Sequence, residues 1–378
     1  AELFKYLPPK GTRVLIGMSG GIDSSISAWL LKEKGCEVIG VTMSLWDDSL
    51  NLPQTSFKAC FGPGEKEEIE TARNFANKIG IPFYEISLAE EYKKYVLEYF
   101  RKEYLSGRTP NPCARCNQKI KFGFLLDQAT KIGISFDIFA TGHYARVILN
   151  PETKRYQLWQ GIDKEKDQSY FLVFLNQEQL SKVVFPLGFI TKKETRTLAE
   201  HLGFSELLTQ AESQDFIEGN NYEVLFNQNE VKEGEIVDED GNILGKHRGI
   251  IHYTIGQRRG LGIGGAGEPY YVVRIEPKTN RIVVGRKPEL MKRTMTVVDC
   301  NWISLSENEV PPILDNVGCK IRIKHEIAKC KIEKLTSDAK QVKVTFDEPQ
   351  SAITPGQVAG FYDGEKVIGG GIIERVLE

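Results

Sequence analysis

The sequence predicts an α/β domain built on a parallel sheet, followed by a smaller all-β region that closes as a barrel or sandwich. Three observations carry this prediction. From Arg13 to about Thr141, short apolar runs of β type alternate with helical stretches, the pattern of βαβ crossovers. The first of these runs turns through Ser19-Gly20-Gly21-Ile22-Asp23-Ser24 directly into a helix. Past Pro277 the chain reads as short strands: RIVVG, MTVVDCNWI, CKIRIKH, AKCKIEKL, QVKVTF, GQVAGFY and KVIGGGII. At 378 residues the chain is too long for one ordinary core, so two or three domains are expected.

Composition narrows the class. Hydrophobic residues at 41% and charged residues at 26% are ordinary for a globular protein. A net charge of −2 gives no global attraction to nucleic acid, so any such surface must be a local patch. No apolar run is long enough to span a bilayer, and no membrane partner is expected. The 7 cysteines are odd in number and scattered, which points to a reducing, cytoplasmic setting rather than a disulfide scaffold.

The opening unit has Val14, Leu15 and Ile16 as a buried strand, then Ile26, Trp29 and Leu30 at helical spacing, with Gly35 as the C-cap. A strand that turns through two glycines into a helix aims backbone N–H groups and the positive end of the helix dipole at one point. Asp23 adds nothing for a bare phosphate, so its natural role is to hold Mg²⁺ travelling with phosphates. The pattern is neither GxGxxG nor GxxxxGK[ST], which excludes the dinucleotide and Walker readings. SGGxDS is the signature of the PP-loop ATP pyrophosphatases, and this stretch resembles it fully.

A second strand follows at Glu37–Met43, then a loop ending in Ala59-Cys60-Phe61-Gly62-Pro63-Gly64. A helix is expected over Glu65–Ile79, closed by Gly80, then a strand at Pro82–Ser87 and an amphipathic helix from Glu90 to about Leu105. The loop Ser106-Gly107-Arg108-Thr109-Pro110-Asn111-Pro112 leads into Cys113-Ala114-Arg115-Cys116 at a helix start. Cysteines there, beside Arg115 and Lys119, should carry depressed pKa values. CxxC fits a nucleophile pair, half a metal site, or two thiols that merely pack; nothing resembles a second CxxC, which disfavours structural zinc.

Phe136–Thr141 reads as another strand, ending at Gly142 and His143. The glycine would let a nucleotide approach the backbone, and the histidine fits a contact residue or a packed one equally. Lys164–Tyr170 reads as a polar turn before an apolar helix through Phe171, Leu172, Phe174 and Leu175. From about Glu206 the sequence becomes polar and turn-rich. It reaches Thr254-Ile255-Gly256-Gln257-Arg258-Arg259-Gly260, which fits a phosphate nest or a flexible basic loop. Lys320, Arg322, Lys324, His325, Lys329, Lys331 and Lys334 lie along one expected hairpin, where alternation would give a basic face.

SGGIDSS, GVTMSLW, GRTPNPCARCN, KIKF, ATGHYAR, KDQSYFL, YTIGQRRGLGI and the ending SAITPGQVAGFYDGEKVIGGGIIE together resemble the MnmA family of tRNA-specific 2-thiouridylases over almost the whole chain. The resemblance implies an adenine-nucleotide α-hydrolase-like parallel-sheet domain over 1–205, a small central domain over 206–280, and a tRNA-binding C-terminal β-barrel over 281–378. It implies 2-thiolation of wobble uridine 34 in tRNAs for Lys, Glu and Gln, with ATP cleaved to AMP and pyrophosphate and Mg²⁺ as cofactor. The sulfur would come from a cysteine desulfurase or relay protein. By the same resemblance the ATP site comprises Gly17, Met18, Ser19, Gly20, Gly21, Ile22, Asp23, Ser24, Met43 and Gly142. Asn111, Pro112 and Cys113 meet the target base, and Cys116 is the nucleophile. His143, Lys166, Asp167, Gln168, Lys324, His325 and Gln357 fall at tRNA contacts, although Lys324 and His325 depart from the family's residues.

The chain also departs from the family where a second catalytic cysteine is usual, in a segment reading like SQDICFI. Here it reads Ser213-Gln214-Asp215-Phe216-Ile217, and no cysteine lies between Cys116 and Cys300. Three sulfur routes follow: a Cys116/Cys113 persulfide pair, Cys60 in place of the lost cysteine, or a [4Fe–4S] cluster on Cys60, Cys113 and Cys116. Other classes are a PP-loop amide-forming ligase, which needs no CxxC, and a tRNA-binding paralogue without thiolase activity.

Overall fold

The computed structural model describes residues 3–47, 59–209, 215–217, 222–264 and 267–377. The chain divides into two compact units, one of residues 1–95, 113–221 and 365–367, the other of residues 96–112, 222–364 and 368–378.

The first unit is the expected α/β domain. Its elements are β1 (Arg13–Gly17), α1 (Ile22–Glu33), β2 (Glu37–Ser44), β3 (Ala59–Phe61), α2 (Glu65–Ile79), β4 (Phe83–Ser87) and α3 (Ala89–Tyr92). After the excursion into the other unit come α5 (Pro112–Cys116), a π-helix (Asn117–Phe124), α6 (Leu125–Lys131), β5 (Ile138–Ala140), β6 (Ala145–Leu149) and β7 (Tyr156–Gln160). α7 (Gln177–Ser181), β8 (Val183–Val184), α8 (Lys192–His201) and β9 (Asp215–Ile217) complete it. The five-stranded sheet runs β4-β2-β1-β5-β8, and its pairings are parallel. β1 is apolar throughout its middle because both faces are covered: Val14, Leu15 and Ile16 have no exposed surface. With β1 central, its carboxyl end and those of β2 and β5 open on one edge, which positions the site.

α2 ends as expected at Gly80, whose φ of 67° is the left-handed cap. Two helices depart from regular form. The stretch after α3 is a π-helix over Lys93–Leu97, continued by α4 (Glu98–Leu105), and the helix carrying the cysteine pair passes into the π-helix Asn117–Phe124. Such widened turns occur often at functional sites. The apolar helix expected through Phe171–Leu175 is only a 3₁₀ turn at Ser169–Leu172; Asn176, with a capping box to Gln179, starts α7 instead.

The second unit holds α4 and two β assemblies, a mixed four-stranded sheet and an antiparallel barrel. β10 (Gly234–Val237), β11 (Ile243–His247), β12 (Tyr271–Glu276) and β13 (Arg281–Gly285) form the sheet in the order β11-β10-β13-β12, and its central pair β10–β13 is parallel. The RIVVG strand therefore pairs here and not in the barrel; alternation reveals a strand but not its partner. β14 (Met291–Trp302), β15 (Ile313–Lys320), β16 (Ala328–Lys334), β17 (Val342–Ser351), β18 (Val358–Asp363) and β19 (Lys366–Val376) run β14-β17-β16-β15-β18-β19, and β14 pairs with β19 to close a six-stranded barrel. Its interior is filled by Val297, Cys319, Ile332, Val344, Phe346 and Phe361, each at most 1% exposed.

CKIRIKH is not a strand to its end: β15 stops at Lys320 and the chain turns before β16. The single basic face expected there does not form. Lys320 is buried, Arg322 donates to the Ser351 carbonyl, Lys331 and Lys343 pair with Glu333, and Lys334 donates to the Val310 carbonyl. All 7 cysteines are free, and among the described residues no helix is long and apolar enough to cross a membrane.

Candidate active site

The Gly-Gly turn is held by its own serines. Ser24 Oγ accepts from Ser19 N at 3.1 Å and donates to the Gly21 carbonyl at 3.2 Å, while Met18 N donates to Val41 O at 2.8 Å. Gly20 has φ of 82°, and a Cβ there would lie 2.5 Å from the Glu68 carbonyl oxygen. Gly21 caps α1 without any side-chain acceptor, so the N–H groups of the first turn are the donors an anion would meet. Met18 and Ile22 bury their side chains in the core and offer only backbone. Gly142 has a different demand from the one expected: a Cβ there would lie 2.8 Å from Asp23 C and Ser24 N, so it lets the end of β5 pack on the first turn of α1.

Asp23 is the centre of a network that the sequence did not announce. Lys192 Nζ lies 2.8 Å from both Asp23 oxygens, and the two side chains are 8% and 31% exposed. Tyr144 donates its hydroxyl to Asp23 Oδ1 at 2.8 Å and stands 3.0 Å from Thr195 Oγ1. Burial, then the charge of Asp23, pushes the Tyr144 phenol far up, so it stays a donor. Lys192 is the first residue of α8, where a cation opposes the helix dipole. That misplacement was the available signal, together with the capping box of Thr191 and Glu194 that fixes this helix start.

This arrangement suits a magnesium nucleotide. First-turn amides and one ammonium would face phosphates, and a single carboxylate with waters and phosphates is an ordinary Mg²⁺ shell. Asp23 is 31% exposed and has lone pairs to spare for a metal, and the Lys192 ammonium beside it would add positive charge toward the phosphates.

The segment Asp163–Gln168 braces the same network. Asp163 Oδ2 accepts from Lys192 N at 2.9 Å, and Gln168 is bonded to Tyr144 in both directions, at 2.9 and 3.0 Å. Asp167, expected at a tRNA contact, points inward: its carboxylate accepts from Gln160, Gly161 and Ser169, the last through both N and Oγ, at 2.9–3.1 Å. Lys166 remains partly exposed. His143 is partly exposed: Nδ1 is 2.6 Å from Thr141 Oγ1, and its ring meets Phe122 and Phe185 with centroids 5.9 and 5.7 Å apart. Burial, then the Lys121 charge, keeps it neutral.

The cysteine pair lies on α5, which runs directly into the π-helix and α6, so both cysteines fall in the opening turns of one helix, as expected. For Cys116, a partly exposed residue, the surroundings oppose the depressed pKa expected there. Burial pushes its thiol up to about 12, and the Lys121 charge offsets only part of this. Cys60 is exposed on β3, which pairs in parallel with β9, Ala59 facing Asp215 and Phe61 facing Ile217. Cys60 thus lies beside Phe216, in the segment where the resemblance leads us to expect a second cysteine. Phe61 stacks on the buried Tyr92 at 5.3 Å, and burial followed by the Cys116, Cys60 and Cys113 thiols raises the Tyr92 phenol. The three thiols therefore share one neighbourhood. Among the described residues no group of three ligating side chains is placed to hold a metal ion.

The remaining predicted residues are spread out. Met43 is half-buried on β2, opposite Ile86. In the second unit, Asn111 is partly exposed, and Gln357 Nε2 donates to the Pro110 carbonyl at 3.2 Å. Lys324 is exposed, whereas His325 bonds Gln350 at 2.9 Å and is kept below its usual pKa by burial.

Three family models match in succession: the tRNA methyl transferase HUP domain at 12–218, the tRNA methyl transferase PRC-barrel domain at 223–286, and the aminomethyltransferase β-barrel domain at 292–373. Proteins described as tRNA-specific 2-thiouridylase MnmA are similar along nearly the full length. That of Endomicrobium trichonymphae is 44% identical over 96% of this chain and 98% of its own. That of Acetivibrio thermocellus is 44% identical over 96% and 99%, and that of Geobacter metallireducens 42% over 97% and 97%.

Proposed function

Since the chain belongs to the MnmA family of tRNA-specific 2-thiouridylases, we propose that it is a tRNA-uridine 2-sulfurtransferase acting on the wobble uridine of tRNAs for Lys, Glu and Gln. The observation that carries this is the 44% identity sustained over 96% of the chain. The domains are proposed as expected at 1–205, 206–280 and 281–378, except that the last boundary moves past β13, since Arg281–Gly285 pairs with β10 and β12; the setting is proposed as the cytoplasm.

ATP, with Mg²⁺, supplies activation of the uridine O2 as an adenylate. The chain's own part begins with the turn Ser19–Ser24, whose amides would hold the phosphates and stabilise charge on the departing pyrophosphate. Lys192 neutralises Asp23 at rest and would add positive charge toward the phosphates on binding. Tyr144 and Thr195 keep the carboxylate oriented. An unpaired anticodon base is the natural substrate, because it can be splayed into a pocket without breaking a duplex.

For sulfur delivery we propose a persulfide route through the thiols. A donor protein transfers sulfane sulfur to one cysteine of the set. The terminal persulfide sulfur attacks C2 of the activated uridine and AMP leaves with the C2–O bond. A neighbouring thiolate then attacks the inner sulfur, so the S–S bond breaks, a protein disulfide forms and sulfur stays on C2. An external thiol reduces the disulfide. Cys116 and Cys113, one helical turn apart, are proposed as the reacting pair, with exposed Cys60 as the point of entry. The cluster reading uses the same three thiols, but the described residues present no assembled ligand set.

The function is tested with a tRNA transcript, Mg-ATP and a persulfide donor, the product being resolved on a mercury-affinity gel. A retarded, ATP-dependent band is expected; no band with or without ATP would overturn the proposal.

A further inference from the structure

One motif is left over by the account above. Between Gly241 and Gly267 the sequence carries Lys246, Arg248, Arg258 and Arg259 and no acidic residue, in a chain whose net charge is −2. All four side chains are exposed. Arg258 and Arg259 sit in a turn that is built and not loose. Gly256 N donates to Val272 O at 2.8 Å and Val272 N donates to Gln257 O at 2.9 Å, which ties the turn to β12. The Gln257 side chain accepts from Thr254 N at 3.1 Å and donates to the Arg259 carbonyl at 3.0 Å. Gly256 and Gly260 take φ of 87° and 75°, conformations that a side chain would strain. Among the described residues neither guanidinium is paired with a carboxylate.

The same turn reaches the loop that leads to the cysteines. Thr254 Oγ1 is 2.7 Å from Thr109 Oγ1, two residues before Asn111. Thr109 is gripped on its other side by the barrel, its N–H donating to the Pro355 carbonyl at 2.9 Å. A Cβ on Gly356 would lie 2.9 Å from Thr109 N, so the contact is close.

We propose that the Thr254–Gly260 turn is an RNA-binding surface on which Arg258 and Arg259 contact the phosphate backbone of the tRNA. Two exposed guanidinium groups carried on a tied turn within an acid-free stretch match the chemistry of a polyanion, and arginine's fork suits phosphate oxygens. Through Thr254 and Thr109 the bound backbone also sets the register of the target-base loop. This inference rests on the proposed tRNA substrate.

The test is fluorescence anisotropy of a labelled full-length tRNA transcript with the full chain, over salt from about 50 to about 300 mM. Arg258→Gln/Arg259→Gln should weaken binding roughly tenfold at the low-salt end and flatten the slope of log K against log salt by about 2. Arg258→Lys/Arg259→Lys should restore most of the slope. An unchanged slope in the glutamine variant, while wild type binds, overturns this inference alone. Weaker binding at unchanged slope also overturns it, since that reports structural damage and not lost phosphate contacts. No tRNA binding by wild type overturns the substrate reading itself.

Discussion

Lys192 Nζ stands 2.8 Å from both carboxylate oxygens of Asp23, across 169 residues of sequence, and this pair joins α8 to the phosphate turn. A buried cation paired with one carboxylate is a replaceable partner, because Coulomb attraction serves a phosphate equally well.

Lys192→Met should therefore lower affinity for Mg-ATP by at least tenfold, read by equilibrium titration and not by turnover. The uncompensated Asp23, partly exposed, should cost roughly 1–3 kcal/mol in urea unfolding. Lys192→Arg should recover most of the stability. Nucleotide affinity equal to wild type in the methionine variant would show that the ammonium never meets phosphate.

The raised thiol of Cys116 gives a pH signature. With a pKa of about 12, its thiolate fraction should climb about tenfold per pH unit from pH 8 to 10, so alkylation measured by peptide mass spectrometry should show no plateau there. A plateau below pH 9 would restore the activated thiol that the sequence implied.

Glu65 offers a stability test. It is 7% exposed, accepts from Leu45 N and Trp46 N at 2.8 and 2.9 Å, and is raised to about 7, chiefly by burial. Its folded pKa lies above its unfolded value, so its contribution is present at low pH and lost as pH rises to about 7. Glu65→Gln should flatten the decline of unfolding free energy between about pH 5 and about pH 7, an effect of order 2–3 kcal/mol. Identical pH profiles for the two proteins would exclude a raised carboxyl.

Local signals made much of the first unit legible. The apolar run Val14–Ile16, the Gly-Gly turn and the glycine cap at Gly80 each dictate backbone within a few residues. α2 accordingly spans the expected Glu65–Ile79. What escaped depends on tertiary packing. Lys192 meets Asp23 only once the sheet has formed, and the neighbours that desolvate the partly exposed Cys116 cannot be read from its place on the helix. Asp167 reads as a polar turn residue but faces inward, because Gln160, Gly161 and Ser169 all donate to it. The basic hairpin failed for a related reason: β15 ends at Lys320, so alternation no longer governs Arg322 and Lys324.

The central claim is that tRNA sulfur passes through thiols gathered at Tyr92. Its most direct test is single-turnover thiolation with ³⁵S-labelled persulfide on wild type, Cys60→Ala, Cys113→Ala and Cys116→Ala, with iron assayed on anaerobically purified protein. The account predicts ³⁵S on the tRNA with wild type, none with Cys113→Ala or Cys116→Ala, slowed loading with Cys60→Ala, and no iron. Thiolation that survives all three substitutions, or stoichiometric iron lost with each of them, would contradict it.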